Sequence, residues 1–222
     1  MAVAVNPTTN RIYVANFVTN DVTVVDGASD TVVTSVSMAG NTLPIALAVN
    51  SVTNRIYVAN SGSSNVTVID GATNAVLATV VSTSQPRTVA VNPVTNKIYV
   101  GNSGTGTITV INGTNNATTT IAGGTNIRAI SVNPVTNTIY AADINGASVI
   151  VINGATDTVT TTVTVGSQPA AVGVNPVTNR IYTANQAGNS VTIIDGNTNI
   201  PTNITVGTFP VAVAVNPVTN KI

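Results

Sequence analysis

The chain has no histidine, cysteine, glutamate or tryptophan, and only 6% of its 222 residues are charged. Without His and Cys it lacks the usual ligands of zinc, copper and haem iron, and also the Cys–His pairs of nucleophilic catalysis. All seven acidic residues are aspartates, and they are scattered along the chain. We therefore expect no catalytic residues, no cofactor and no metal site, and the composition argues against an enzyme.

Charge of either sign is also scarce. Seven Lys and Arg residues balance seven Asp residues, so the formal net charge is zero. A neutral chain with scattered cations offers no electrostatic footprint for nucleic acid or for an anionic membrane surface. The apolar runs are short, as in 45-IALAV-49, whereas a membrane span needs about 20 apolar residues in a row. We expect no nucleic-acid partner and no membrane span.

Hydrophobic residues nevertheless make up 43% of the chain, although aromatic residues contribute only 3%. The apolar residues are mostly Val, Ile and Ala, and the remainder is dominated by Thr, Asn, Ser and Gly. β-Branched residues set among Asn, Gly and Pro turn formers are typical of an all-β protein. No stretch shows the apolar spacing of an amphipathic helix.

An internal repeat is the strongest signal in the sequence. Its first marker occurs as 4-AVNPTTNRIY-13, 48-AVNSVTNRIY-57, 90-AVNPVTNKIY-99, 131-SVNPVTNTIY-140 and 173-GVNPVTNRIY-182, with an incomplete copy at 214-AVNPVTNKI-222. The tyrosines that end these segments are 44, 42, 41 and 42 residues apart. A second marker follows each tyrosine: Asp26-Gly27, Asp70-Gly71, Asn112-Gly113, Asn153-Gly154 and Asp195-Gly196.

Each repeat contains four strand-sized runs, which in the second copy are 45–50, 55–60, 65–70 and 75–81. The links between them are so short that neighbouring strands must be antiparallel. The sequence therefore predicts an all-β fold, a β-propeller of four-stranded antiparallel blades with five full repeats of 41–44 residues plus a partial sixth. The predicted blades of this single domain, 1–222, are about 1–43, 44–85, 86–126, 127–168 and 169–209, with 210–222 as the partial repeat.

The segments 13-YVAN-16, 57-YVAN-60, 99-YVGN-102, 140-YAAD-143 and 182-YTAN-185, framed by VNPVTN and VIDGATN, resemble the YVTN-type β-propeller repeat family. The resemblance runs through the whole chain. It implies a propeller of the kind found in surface-layer and secreted proteins, with an extracellular or cell-surface location and no transferable enzymatic activity. Two repeats depart from the motif. In the fourth repeat Tyr140 is followed by Ala-Ala-Asp143, and in the third and fourth repeats Asn112 and Asn153 replace the Asp of the second marker. We interpret these changes as drift within a scaffold.

Five of the seven cations occupy one repeat position, at the start of the second strand of each blade: Arg11, Arg55, Lys97, Arg180 and Lys221. Antiparallel pairing places this position beside the acid of the second marker. We expect structural ion pairs, Arg11 with Asp26, Arg55 with Asp70 and Arg180 with Asp195. A ring of ligand-binding arginines is the functional alternative.

All five tyrosines, Tyr13, Tyr57, Tyr99, Tyr140 and Tyr182, occupy the centre of the second strand. We expect each to pack between adjacent blades, with its hydroxyl on a polar partner. Stacking of sugars or bases on a ring of tyrosines is the alternative.

Loops on one face of the predicted propeller differ in every repeat, whereas those on the other face are uniform. The variable loops and the linkers between blades carry both phenylalanines, Phe17 and Phe209, and the two remaining cations, Arg87 and Arg128. A ligand site, if one exists, is expected there and at the mouth of the central channel. The alternative is that these loops simply tolerate change.

The segment 211-VAVAVNPVTNKI-222 nearly repeats 2-AVAVNPTTNRI-12 and opens a sixth repeat. Three interpretations remain open: a fragment of a longer repeat protein, a clasp that closes the ring, or a strand that joins another molecule. We predict a non-enzymatic extracellular or cell-surface scaffold that binds protein partners or copies of itself. A soluble propeller that binds a ligand at the variable face is the alternative function.

Overall fold

The computed structural model describes residues 2–40 and 42–222, and this part of the chain contains twenty β-strands and no helix. The strands form five four-stranded antiparallel sheets, each built from consecutive strands in chain order. The predicted all-β class is thus confirmed. Within the described residues there is no helix long and apolar enough to cross a membrane.

Sheet one contains β1 (Val3–Asn6), β2 (Arg11–Asn16), β3 (Asp21–Asp26) and β4 (Thr31–Ser37). Sheet two contains β5 (Pro44–Asn50), β6 (Arg55–Asn60), β7 (Asn65–Asp70) and β8 (Val76–Val81). Sheet three contains β9 (Pro86–Asn92), β10 (Lys97–Asn102), β11 (Thr107–Asn112) and β12 (Thr118–Ala122). Sheet four contains β13 (Ile127–Asn133), β14 (Thr138–Asp143), β15 (Ser148–Asn153) and β16 (Thr158–Thr164). Sheet five contains β17 (Pro169–Asn175), β18 (Arg180–Asn185), β19 (Ser190–Asp195) and β20 (Pro201–Thr205).

The first strands of the sheets contact one another in the order β1, β5, β9, β13 and β17, so they line the inner side of the run of sheets. The fourth strands lie on the outer side and expose most of their residues. In the described part of the chain β1 and β17 share no extensive contact. The five sheets therefore form an arc with two distinct ends.

The core lies between successive sheets. The side of a sheet that contacts the preceding sheet is called its upstream face, and the side that contacts the following sheet its downstream face. Tyr57 and Val68 on the downstream face of sheet two pack with Ile98, Val100 and Ile111 on the upstream face of sheet three. Because Val and Ile dominate both faces, adjacent sheets bury each other's β-branched side chains.

Asparagine sets the turn between the first and second strands. Asn10, Asn54, Asn96, Asn137, Asn179 and Asn220 all adopt a left-handed backbone with φ of 51° to 53°. Asn tolerates this region better than other residues with a side chain. The residue is Asn in every copy of the repeat, which suits this conformation.

The glycine of the second marker is required by a close approach of two turns. Its backbone N–H donates to the carbonyl oxygen of the left-handed asparagine, as in Gly71 to Asn54 at 2.8 Å. The same bond occurs at Gly27, Gly113, Gly154 and Gly196. A Cβ atom on Gly71 would lie 2.8 Å from the Asn54 carbonyl oxygen and closer still to the side-chain oxygen of Asn54. Only glycine fits this contact without a shift of the neighbouring turn.

Candidate functional site

Buried asparagine pairs join each sheet to the next. The first asparagine of the repeat donates from Nδ2 to Oδ1 of the left-handed asparagine in the following sheet, as in Asn50 to Asn96 at 2.9 Å. The same bond links Asn6 to Asn54, Asn92 to Asn137 and Asn133 to Asn179 at 2.8 Å. Each donor asparagine is fully buried and also caps its own turn by accepting backbone N–H groups. These pairs fix how one sheet sits on another.

The repeat-position cations contact the following sheet as well. Arg55 donates from Nη1 to the carbonyl oxygen of Gly113 at 2.6 Å. Lys97 donates from Nζ to the Gly154 carbonyl oxygen at 2.9 Å and pairs with the Asp157 carboxylate at 2.7 Å. Both partners lie in the second-marker turn of the next sheet. At these two positions the cation thus strengthens the contact between sheets.

The expected ion pairs within each sheet form at one of the three positions. Arg11 Nη1 lies 2.7 Å from Asp26 Oδ2. The register also places Arg55 opposite Asp70 and Arg180 opposite Asp195, yet within the described residues neither forms an ion pair. The turn bonds of the aspartate do not decide this, because Asp26 accepts the same backbone N–H bonds and still pairs with Arg11. The expectation is wrong at Arg55 because its guanidinium group reaches the Gly113 carbonyl oxygen of the next sheet. Nothing in the structure explains the missing pair at Arg180.

The second-marker acid acts as a turn cap. Asp70 Oδ1 accepts the backbone N–H groups of Ala72 and Thr73 at 2.8 Å, and these bonds lower its pKa, with the Thr73 bond contributing most. Asn112 and Asn153 accept the equivalent bonds in sheets three and four. Because a neutral amide oxygen accepts the same bonds, Asp and Asn alternate at this position without loss of the turn.

We predict that Asp70→Asn leaves the free energy of unfolding at pH 7 nearly unchanged, whereas Asp70→Ala lowers it by about 1 kcal/mol through loss of the turn bonds. Because the folded pKa of Asp70 is lowered, its ionised form stabilises the fold above the unfolded pKa, and this contribution disappears as the pH falls. Urea unfolding at pH 7 and in mild acid measures both effects. Equal losses in the two variants would contradict the capping role.

The tyrosines are buried between sheets. Tyr13, Tyr57, Tyr99 and Tyr140 are at most 1% exposed, and burial raises the pKa of each phenol. Tyr99 donates to Asp157 of the next sheet at 3.3 Å. The Tyr13 and Tyr57 hydroxyls, in contrast, have no partner among the described residues, so the expected polar partner is absent there. Buried rings cannot stack on sugars or bases, so a ring of stacking tyrosines is ruled out.

In the described part of the chain, no sheet packs against the upstream face of sheet one. Ile12, Val14 and Val25 are half-buried there, whereas the equivalent Ile56 and Val58 of sheet two are fully buried. Val3 and Val5 of β1 are 65% and 53% exposed. A shallow cavity of about 620 Å³ lies at this end, lined by Val14, Phe17 and neighbouring residues.

The downstream face of sheet five is covered along its inner strand. Val213 and Val215 pack on β17 at Gly173, and Asn175 donates to Asn220 at 2.9 Å, in the geometry that joins the full sheets. Outside this contact Ile193 and Arg180 stay accessible and line a cavity of about 340 Å³. Residues 211–222 thus occupy the place that the first strand of a following sheet would take.

The four variable-face candidates do not form one cluster. Phe17 lies in the β2–β3 loop of sheet one, and Phe209, which is 61% exposed, follows sheet five, so the two lie at opposite ends of the arc. Arg87 and Arg128 lie on the neighbouring inner strands β9 and β13. The structure therefore brings only the two arginines together.

Asp143 has a structural role that the sequence did not reveal. Asp143 is 3% exposed, and its carboxylate accepts hydrogen bonds from the backbone N–H of Thr125 at 2.8 Å, the Thr125 hydroxyl at 2.8 Å and the Asn126 N–H at 2.9 Å. The equivalent Asn60 donates to polar side chains on β7. Sheet four has the apolar Ile150 at the position of Thr67 in sheet two, so the hydroxyl that accepts a bond from Asn60 is missing there. Asp143, an acceptor, replaces the donor Asn60 and faces linker residues 125 and 126.

No family model matches the chain, and no curated protein sequence matches it. Among solved structures, the chain is similar to a chain of Kuenenia stuttgartiensis hydrazine synthase, with a TM-score of 0.84 and 20% sequence identity. The match covers 97% of this chain and 70% of that chain. At this identity the likeness shows the fold alone, and it supports a β-propeller-like all-β architecture.

Proposed function

We propose that the chain is a run of five β-propeller blades plus the first strand of a sixth, and that it works as a non-enzymatic interaction scaffold. The observation that carries this proposal is the complementarity of its two ends. Sheet one carries the acceptor asparagine, Asn10, of the contact that joins neighbouring sheets, and the 211–222 end carries its donor asparagine, Asn216.

The asparagine pairs make this complementarity specific. Asn216 caps its turn by accepting the Val218 N–H at 3.0 Å, as its buried equivalents do, but within the described residues its Nδ2 has no acceptor. Asn10 has the left-handed backbone of the acceptor position, and in the described part of the chain its Oδ1 receives no donor. A sheet end with a free donor thus matches a sheet end with a free acceptor.

The partner that fits both ends is a second copy of this chain, placed head to tail. Such a contact joins unlike faces, so a pair of molecules still has one free face at each end. Further copies then add to either end unless the rotation between copies closes a ring. Apolar side chains left exposed at the sheet-one end, such as Val3 and Val5, favour this association over a monomer.

Light scattering on the purified chain over a concentration series tests the proposal. We expect an average mass above 22.3 kDa that rises with concentration. Val14→Asp places a charge on the upstream face of sheet one and is expected to return the mass to that of the monomer. The matched control is Val94→Asp in the turn between β9 and β10 of the central sheet, where Val94 is already 74% exposed, and it should assemble like the wild type.

A mass that stays at the monomer value at all concentrations would overturn the assembly. Loss of assembly in both variants would show that added charge, and not the upstream face, is responsible. The proposed location, extracellular or at the cell surface, rests on the resemblance of the repeats to YVTN-type propellers. The absence of His, Cys and Glu from the sequence supports the proposal that the scaffold is not an enzyme.

A further inference from the structure

Two cations lie outside the repeat position, and they occupy the same place on neighbouring inner strands. Arg87 follows Pro86 at the start of β9, and Arg128 follows Ile127 at the start of β13. The equivalent residues of sheets two and five are Ile45 and Ala170. The positive charge of the inner side is therefore concentrated at one point of the arc.

A β-bulge presents both arginines. In sheet three the register passes from Thr88 opposite Gly101 to Pro86 opposite Asn102, which leaves Arg87 unpaired. In sheet four it passes from Ala129 to Ile127 in the same way and leaves Arg128 unpaired. Bulges re-aim a side chain away from the regular alternation of a strand. The two guanidinium groups are thus carried by rigid strands at matching irregularities.

The two arginines lie on adjacent inner strands, and their charges are uncompensated. Arg87 and Arg128 are both half-buried, and the pKa of Arg87 is lowered mainly by burial and further by the charge of Arg128. Within residues 2–40 and 42–222 neither side chain makes a hydrogen bond or an ion pair to the protein. Asp143, which the register places opposite Ile127, is already occupied by three donors from Thr125 and Asn126.

We propose that Arg87 and Arg128 form a binding site for a dianionic oxyanion of phosphate size at the inner side of the arc. Each guanidinium presents a fork of N–H donors that matches the oxygens of phosphate or sulfate. A ligand with two negative charges neutralises both cations, whereas a monocarboxylate neutralises one. The Asp143 bonds hold residues 125 and 126 and so fix the segment that precedes Arg128. None of the residues that carry the proposed assembly belongs to this site.

Titration calorimetry of the full chain with inorganic phosphate, sulfate, methyl phosphate and acetate at low, constant ionic strength tests the site. We expect phosphate and sulfate to bind with millimolar dissociation constants and acetate about tenfold more weakly or not at all. Methyl phosphate distinguishes the source of the ligand: affinity equal to that of phosphate indicates a phosphomonoester, and weaker affinity indicates the free anion. Both results support the site.

Arg87→Gln and Arg128→Gln are each expected to weaken phosphate binding by about tenfold or more. Neither should lower the thermal unfolding midpoint in phosphate-free buffer, because each removes a repulsion between like charges. Arg180→Gln is the matched control, since it removes one accessible positive charge elsewhere, and it should bind phosphate like the wild type. Absence of phosphate and sulfate binding would overturn the proposal, as would an equal loss of affinity in all three variants.

Discussion

Asn133→Asp should be among the most destabilising single substitutions in this chain, lowering the free energy of unfolding at pH 7 by about 3 kcal/mol. Asn133 is fully buried and donates from Nδ2 to Asn179 Oδ1 at 2.8 Å. The carboxylate is almost isosteric but cannot donate, so two acceptor oxygens would face each other. The Asn179 amide is held in its orientation because its own Nδ2 donates to Asn197 Oδ1 at 3.0 Å.

The loss should depend on pH in a defined direction. Burial and the facing oxygen of Asn179 raise the pKa of the new carboxyl group above its unfolded value of about 3.9. A raised folded pKa means that the native state binds the proton more tightly, so the penalty is full at neutral pH and shrinks as the pH falls. Once protonated, the carboxyl can donate to Asn179. Urea unfolding of variant and wild type at matched pH values, neutral and near pH 4.5, measures the difference.

The control is the same substitution at the same repeat position where no sheet follows. Asn216 is exposed and accepts the Val218 and Thr219 N–H groups, but its Nδ2 has no acceptor among the described residues. Within one molecule Asn216→Asp keeps these accepted bonds and loses no donated one, so at protein concentrations too low for the proposed assembly it should change stability by less than about 0.5 kcal/mol. Similar losses at both positions would show that the turn, and not the asparagine pair between sheets, needs the amide.

The strands could be predicted well because their signals are local. For the second repeat the sequence predicts strands at 45–50, 55–60, 65–70 and 75–81, and the structure has them at 44–50, 55–60, 65–70 and 76–81. β-Branched runs define each strand, and turn residues such as Asn54 with φ of 51° define its end. Both signals lie within a few residues of the structure that they specify.

The contacts between sheets could not be predicted in this way, because they join residues more than forty positions apart. Antiparallel pairing correctly placed Arg55 opposite Asp70, but it could not show that Arg55 reaches Gly113 in the next sheet. The asparagine pairs left a signal that was available: both asparagines of the repeat are kept in all six copies, even where the proline between them becomes Ser51. A turn alone does not require that uniformity.

The arginine pair shows the same limit for the candidate site. Arg87 and Arg128 could be selected from the sequence as cations outside the repeat position. Phe17 and Phe209 were selected by the same reasoning, yet the structure places them at opposite ends of the arc. The two arginines come together because each occupies the bulge position of its inner strand and the two strands are adjacent. A bulge leaves no distinct pattern in a single sequence.

Gly71→Ala should also destabilise the fold strongly, by about 2 to 3 kcal/mol, although it adds a single methyl group. The φ of Gly71 is not in the left-handed region, so alanine can adopt its backbone conformation. The cost arises from contact, since the new Cβ would lie 2.8 Å from the Asn54 carbonyl oxygen and still closer to the Asn54 side chain. Asn54 cannot turn away without losing the hydrogen bond that its Oδ1 accepts from Asn6 in sheet one at 2.8 Å.

Gly207→Ala is the matched control, because no atom lies within 4 Å of the Cβ position there. It should leave stability unchanged or raise it by up to about 1 kcal/mol, since alanine restricts the unfolded chain. Urea unfolding of both variants gives the comparison, and a double variant with Asn6→Ala tests the mechanism. If the methyl group acts by displacing Asn54, removal of its partner Asn6 should make Gly71→Ala less costly than in the wild-type background. Strictly additive losses would instead place the strain within the turn of sheet two itself.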